Sequence, residues 1–435
     1  MDKLHIKDLI CNKKTAFLCG NGFSINFDKS FGNIYENLYL AHKDVIYKSK
    51  YRVKSNSRFK KKCNENYHSI LRHFRSLTES DLTRIFEDAV LFAESIRNNK
   101  QLIKEFRESG IISELTFGLS EYDPLNQICE ISKSKGIQYI NIEHWTILIY
   151  FYAVISKTKP EIYRFPNDNS FITALRQGNV SKVTFASGEF NKFHFYEDVI
   201  FNGFTIYFKM LFSIAIFSNG KAVYFDELDG IEGLDLRKLR KFLKSFDLLI
   251  TLNYDKILEY VVDEKVERLH GEFVMNKEEF VYNQSFGMNY KNDYVSFSDI
   301  LIGDYFIFKS ALPVINKMSA SRSFINKKVE AFGDKITRLI RESFISTVLL
   351  FGLNIENDQH VLRNLMLAFY DSNVENPNII YSYFNKKEKQ RFEEEFYKVI
   401  TFSEEVNEYC KKIKISFIPT QDILSDHFHK TENQI

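Results

Sequence analysis

Short apolar runs recur along the chain and stop abruptly at glycine or polar residues. Thr15–Cys19 (TAFLC) halts at Gly20, Phe246–Leu252 (FDLLITL) at Asn253, Val266–Leu269 at His270, and Ile345–Phe351 (ISTVLLF) at Gly352. Short apolar runs of this kind suit parallel strands buried on both faces. Asn378–Phe384 and Ile413–Ile418 read as further strands. Between these runs the period changes. Val361, Leu362, Leu365, Met366 and Phe369 fall at helical spacing within Asp358–Tyr370, and Lys386–Ile400 is a charged amphipathic helix. This alternation of strand, loop and helix predicts an α/β fold with a Rossmann-like, doubly wound parallel sheet. From roughly Leu38 to Arg240 the pattern is different. Leu71–Asn98 and Gln101–Leu119 look amphipathic, Asn141–Ser156 looks like a buried aromatic helix, and Val183–Phe217 fits either strands or helix. The expected organisation is a sheet domain of residues 1–37 and 241–435 carrying a large, mostly helical insertion of residues 38–240.

With 435 residues the chain has room for two domains or for one domain with an insertion. Fifty-nine basic and 57 acidic side chains leave a net charge of +2, so no global electrostatic case exists for a nucleic-acid partner. A basic cluster (Lys48, Lys50, Arg52, Lys54, Arg58, Lys60, Lys61 and Lys62, interleaved with Tyr47 and Tyr51) reads either as an anion-binding patch or as a solvated surface loop. The solvated loop is the expectation. Cys11, Cys19, Cys63, Cys129 and Cys410 are odd in number, scattered, and form no C-x-x-C pair. A reduced, cytoplasmic protein without a structural zinc site is expected. Met1–Lys14 lacks the apolar core of a signal peptide. Trp145–Ile155 is too short to span a bilayer, and Asn202 and Lys209 mark Phe201–Phe217 as a buried soluble element, so no membrane partner is expected.

Candidate chemistry gathers where the apolar runs end. Gly20-Asn21-Gly22-Phe23-Ser24 follows the first strand, and glycines there let the backbone approach a pyrophosphate. Ile25 occupies the place of the third glycine of a dehydrogenase fingerprint, and Glu36 falls in a probable helical stretch instead of at the end of a second strand, which disfavours an ordinary nicotinamide dehydrogenase. The alternative is a tight turn with no ligand. Asn253-Tyr254-Asp255 places an amide beside a carboxylate, suited to orienting a ribose or water; the same residue types also cap helices. His270, before Gly271, is a candidate general base or a structural histidine. Asp426-His427-Phe428-His429 resembles a metal fragment, but it is expected in a frayed tail, and no metal is expected.

Taken together, Gly20–Ser24, Asn253–Asp255, His270-Gly271 and Phe351–His360 (FGLNIENDQH) resemble, in this order, the motifs of the sirtuin-like NAD-consuming superfamily. The branch they resemble is that of the bacterial antiphage and abortive-infection proteins. The four-cysteine zinc ribbon of the protein deacylases is missing, and Ser24 is followed by Ile25-Asn26-Phe27-Asp28 instead of a Pro-Asp-Phe-Arg stretch. The resemblance implies an NAD glycohydrolase acting as a toxic effector of antiphage defence. NAD would be the substrate, held by Gly20, Asn21, Gly22, Phe23, Ser24 and Tyr254, with Gly352 and Asn354 near the adenosine half. Asn253 would position the nicotinamide ribose or the attacking water, Asp255 would bind the carboxamide, and His270 would act as base. Asp358 would cap the following helix. Homo-oligomerisation, a partner ATPase or a phage-derived trigger protein would restrain or release the activity. The alternative is a non-catalytic module that binds NAD or a related nucleotide and regulates a partner.

Overall fold

A computed structural model describes residues 6–48, 51–55, 60–109, 124–180, 199–277, 284–300, 302–303, 330 and 332–430. The chain divides into two compact units. The first comprises Met1–Asn33, Ile216–Glu272 and Glu330–Ile435; the second comprises Ile34–Ala215 and Phe273–Val329.

Numbering strands in chain order, the first unit holds β1 (Thr15–Cys19), β3 (Leu248–Thr251), β4 (Glu267–Arg268), β8 (Thr347–Phe351), β9 (Asn378–Tyr383) and β10 (Lys414–Pro419). They form one parallel sheet in the order β4-β3-β1-β8-β9-β10. In chain order within this sheet that is third, second, first, fourth, fifth, sixth, the doubly wound Rossmann-like arrangement. The expected fold class is present. Every residue of β1 and β8 is buried, which is why both strands read as unbroken apolar runs. β4 is the shortest of the six, with Glu267 and Arg268 inside it, as an edge strand permits. Helices close the crossovers. Gln359–Asp371 turns Val361, Leu362, Leu365, Met366 and Phe369 inward, on the spacing read from the sequence. Lys386–Lys398 starts where Asn385 accepts from the Glu388 amide at 3.0 Å, an N-cap.

The division of the chain departs from the expected one at residues 34–37, which fall in the second unit, and at two longer stretches. Residues 216–240 belong with the sheet, and residues 273–329 belong with the helical unit. Their reasons differ. Leu236–Leu243 is a crossover helix whose Phe242 packs on Phe17 of β1 at 6.3 Å, followed by Phe246 at 5.5 Å. Residues 284–290, by contrast, pair with a segment more than two hundred residues earlier. In the second unit β2 (Tyr51–Ser55), β5 (Val274–Met275), β6 (Gln284–Tyr290) and β7 (Asp293–Ser296) form an antiparallel sheet in the order β2-β6-β7-β5. Tyr51 sits opposite Met288 and Ser55 opposite Gln284.

That sheet also corrects the reading of the basic cluster as a solvated loop. Arg52 and Lys54 lie on β2, Lys60, Lys61 and Lys62 begin the helix Lys60–His73, and Lys62 is buried. Arg52 stands over the Tyr294 ring at 5.7 Å. Lys50 and Arg58 lie outside the described residues. The stretch Leu71–Asn98 is split between Lys60–His73 and Glu79–Asn98, because Thr78 and Asp81 form a capping box that starts a new helix. Lys100–Glu108 is the described part of Gln101–Leu119; residues 110–119 lie outside the description, as do residues 183–198 of the ambiguous stretch, whose end is the helix Gly203–Phe217. His144–Thr158 is apolar around most of its circumference and correspondingly buried, with Trp145 donating its indole N–H to the Tyr35 hydroxyl. Among the described residues no helix is long and apolar enough to cross a membrane.

The expected frayed tail is also corrected. Leu424–Phe428 forms a π-helical turn, Phe428 is fully buried, and its ring stacks on Phe351 at 5.3 Å. His427 stacks on Phe242 at 4.2 Å. Aromatic burial fixes this segment in the core of the sheet unit.

One helix end carries visible strain. Phe332–Glu342 closes in a Schellman motif, with the Ile345 amide donating to Ile340 O at 3.0 Å and the Phe344 amide to Arg341 O at 3.2 Å. The left-handed residue is Phe344 (φ 54°), where glycine is favoured, and its side chain is 79% exposed. Left-handed strain of about 1–2 kcal/mol outweighs the roughly 0.4–1 kcal/mol that glycine loses through unfolded-state entropy. Phe344→Gly is therefore expected to raise the unfolding free energy by about 0.5–1 kcal/mol. Urea titration of both proteins checks this, and a destabilised variant would contradict it.

Candidate functional site

In a doubly wound sheet the loops on either side of the switch point diverge at the carboxyl ends of the strands and leave a crevice. Here the switch point lies between β1 and β8. The glycine loop after β1 and the Gly352 loop after β8 meet there in backbone contact. The Gly20 amide donates to Phe351 O at 3.0 Å and the Gly22 amide to Gly352 O at 2.9 Å. A Cβ on Gly22 would lie 2.6 Å from the Gly352 Cα. Gly352 has φ 65°, and a Cβ on it would come within 2.7 Å of the Gly22 backbone. The two glycines therefore have a packing reason for being glycine. The Gly22 amide is engaged by Gly352, and the Phe23 amide donates to Gly20 O at 3.0 Å.

The short helix Asn21–Ser24 sends its side chains different ways. Asn21 is exposed and donates to Phe31 O at 2.7 Å. Phe23 is fully buried among Phe17, Phe27, Phe351 and Phe428, so its side chain belongs to the core and only its backbone faces the loop. Ser24 is fully buried as well, but its hydroxyl has polar company. Beyond it, buried Asp28 caps the next turn through the Ser30 amide and pairs with Lys221 at 2.7 Å. Burial opposes the Asp28 charge, but the bonds from Lys221, Ser30 and Asp229 prevail and hold its carboxyl at about 2.

Ser24 meets the triplet that ends β3. Its hydroxyl donates to Asp255 Oδ2 at 2.6 Å, and Asn253 Nδ2 donates to Ser24 Oγ at 2.8 Å and to Gly20 O at 3.0 Å. Asp255 Oδ1 accepts from the Ile257 amide at 3.0 Å. The result is a directed chain, Asn253 to Ser24 to Asp255, linking the ends of β1 and β3. Asp255 serves the start of the helix Ile257–Val262, as the capping reading of the triplet has it, and also accepts from Ser24. Burial pushes the Asp255 carboxyl up, opposed by the Ser24 hydroxyl, the Ile257 amide and Arg268. Burial likewise pushes the neighbouring Cys19 thiol up to about 12, so it is no nucleophile at neutral pH.

His270 follows β4, is buried, and has Tyr254 as a ring neighbour at 6.2 Å. Its Nε2 lies 3.4 Å from the Nε2 of His360, a buried residue in the first turn of Gln359–Asp371. Phe332 packs on both imidazoles, at 5.4 and 5.3 Å. The ends of β1, β3, β4 and β8 thus each supply part of the site. Asn354 does not join it. That residue is exposed, its Oδ1 accepts from the Glu356 amide at 3.2 Å, and its own amide donates to Asp358 at 3.1 Å. Asp358 stands at the N-cap position, but its carboxylate turns back to Asn354 and makes no capping bond.

Two partners escaped the sequence reading. Arg268, an arginine inside an apolar run, is buried, donates to Asp255 O at 2.5 Å, and pairs with Glu259 at 3.0 Å and Glu272 at 3.3 Å. His360 was left without a role, because nothing local ties it to a residue ninety positions away. A surface cavity of about 720 Å³ in the second unit, lined by Tyr47, His68, Arg72 and Arg75 among others, contains none of the expected site residues. Comparison of the chain with models of known families, with curated proteins and with solved structures finds no match.

Two outcomes follow from this geometry. Gly22→Ala places a Cβ against backbone that cannot swing away, and is expected to cost about 2 kcal/mol or more in urea unfolding; an unchanged midpoint would show the contact to be slack. For Asp255 the folded carboxyl holds its proton more tightly than the unfolded one, so its contribution to stability is full below the ordinary value of 3.8 and is lost as pH rises through the folded value. Wild-type stability relative to Asp255→Asn should therefore fall as pH rises above the ordinary carboxylate value, with a slope of at most about 1.4 kcal/mol per pH unit. A difference that rises with pH would reverse the assignment.

Proposed function

We propose that the sheet unit binds NAD and hydrolyses its nicotinamide–ribose bond. One observation carries the reading: the carboxyl ends of parallel strands around the switch point carry two buried polar groups, the bonded chain Asn253–Ser24–Asp255 and the pair His270–His360, with Tyr254 packed near His270. Burying so many polar groups is costly unless they are mutually bonded, and a cluster at the ligand-binding end of a doubly wound sheet is a functional-site candidate. The motif order that resembles sirtuin-like proteins gives the ligand its identity.

The chemistry needs little acid catalysis. The bonding pair leaves with nicotinamide, which departs neutral, and positive charge develops on the ribose as in glycoside hydrolysis. Water adds to the ribose carbon and its proton passes to His270, giving ADP-ribose, nicotinamide and one released proton. Asn253 and Asp255 orient the nicotinamide half; Gly20, Asn21, Gly22 and Ser24 lie on the phosphate side, with Gly352 towards the adenosine. Such an activity depletes the cell that carries it, so this reading includes restraint by self-association or a partner and release by a trigger, as an antiphage effector requires.

A second reading is a regulatory module that binds NAD or a related nucleotide and returns it intact. It is favoured by the engagement of the Gly22 and Phe23 amides and of the Asn253 and Asp255 side chains within the protein. One experiment separates the two. Purified protein is incubated with NAD, and free nicotinamide is followed by chromatography alongside His270→Ala and Asn253→Ala, with circular dichroism to check folding. Nicotinamide release that drops by about 10²–10⁴ in His270→Ala supports hydrolysis. NAD bound but recovered whole supports the module, and variants as active as an active wild type would remove the site from the chemistry.

A further inference from the structure

We propose that His270 and His360 bind one divalent transition-metal ion in the sheet unit. This goes beyond NAD cleavage and does not depend on it. The two imidazoles come from separate parts of the fold, one from the end of β4 and one from the first turn of Gln359–Asp371, and both are buried. Their Nε2 atoms face each other at 3.4 Å. That is long for an N–H···N hydrogen bond, where about 2.9–3.0 Å is usual for a nitrogen donor. It is close to the separation of two imidazole nitrogens on one tetrahedral ion, roughly 3.3 Å for bonds of about 2.0–2.1 Å. The rings are nearly parallel, 22° apart with centroids at 5.6 Å.

The surroundings suit such an ion. Phe332 packs on both rings and limits solvent access on that side. Imidazole pairs select zinc, copper, nickel or iron over magnesium and calcium, which prefer oxygen. The two imidazoles this unit contributes fill half of a tetrahedral set, and the other positions would be open to oxygen donors such as water. Loading changes what His270 can do. With its Nε2 on an ion, the His270 imidazole would no longer accept a proton there, and the ion would supply that chemistry by acidifying a bound water.

The test uses the full-length protein without NAD. Metal content of the purified protein is measured by mass spectrometry, and chelator-stripped protein is titrated with Co²⁺ while the visible d–d bands are recorded. One Co²⁺ per chain, displaced by Zn²⁺, is expected, with His270→Gln and His360→Gln each weakening binding by at least about 100-fold. Should a glutamine variant fail to fold, His360→Cys retains a ligand and is expected to add a thiolate-to-cobalt charge-transfer band. Wild type that takes up no more Co²⁺ than the glutamine variants, or stoichiometric binding that none of the variants alters, overturns the proposal. Because the readout is metal content and spectrum, its failure leaves NAD cleavage to its own assay, and failure of NAD cleavage leaves the metal site standing.

Discussion

The architecture of the site depends on one backbone contact, the approach of the β1 loop to the β8 loop at Gly22 and Gly352. Loops at a switch point normally part, because their helices pack on opposite faces of the sheet. Here the Gly22 amide bonds to Gly352 O at 2.9 Å, and neither residue has a Cβ to hold the chains apart. The contact sets where the turn Asn21–Ser24 begins. Its two inward positions then fall to Phe23, which enters the aromatic core, and Ser24, which reaches the end of β3. A bulkier backbone at either glycine would move both at once, separating the hydroxyl from Asp255 and lifting Phe23 off Phe351.

Around Ser24 the amide, hydroxyl and carboxylate that burial penalises find partners of suitable kind. Asn253 gives its amide hydrogens to Gly20 O and Ser24, Ser24 gives its proton to Asp255, and the other carboxylate oxygen takes the Ile257 amide. Arg268 completes the arrangement from below. Its guanidinium binds the Asp255 carbonyl and is balanced by Glu259 and Glu272, so a buried cation steadies the loop without being left unpaired. Hydrogen bonds of this sort contribute only about 0.5–1.5 kcal/mol each, but losing one partner exposes the full desolvation cost of the other. The cluster is therefore held more by the penalty for breaking it than by the gain from forming it.

What could be read from the chain follows the range of the interactions. β1, β8 and β9 are nearly legible from sequence because both their faces are buried, so composition alone marks them. The helices around them show their inward faces at regular spacing. β2 and β6 were hidden, since their partners lie more than two hundred residues apart and β2 carries basic side chains that mimic a loop. The same long-range pairing drew residues 273–329 into the second unit. At the site, the types of Asn253, Asp255 and His270 marked them as candidates, but their partners came only from the fold. Phe23 shows the reverse case: its place inside a motif suggested a ligand contact, whereas its aromatic neighbours place its side chain in the core.

The internal satisfaction of the site bears on how it could take a ligand. A diphosphate at the glycine loop would need backbone amides, yet those of Gly22 and Phe23 already donate to carbonyls of the protein. Replacing one such bond by another is nearly neutral in free energy, but freeing the Gly22 amide also separates it from Gly352, to which it is packed. Ligand binding through those amides thus carries a conformational cost, and the affinity observed is lowered by the fraction of molecules with the loops apart. Any partner that holds the loops apart raises the affinity by the same linkage, without touching the ligand. For a ligand bound in this way, the glycine contact that builds the cluster would also set access to it.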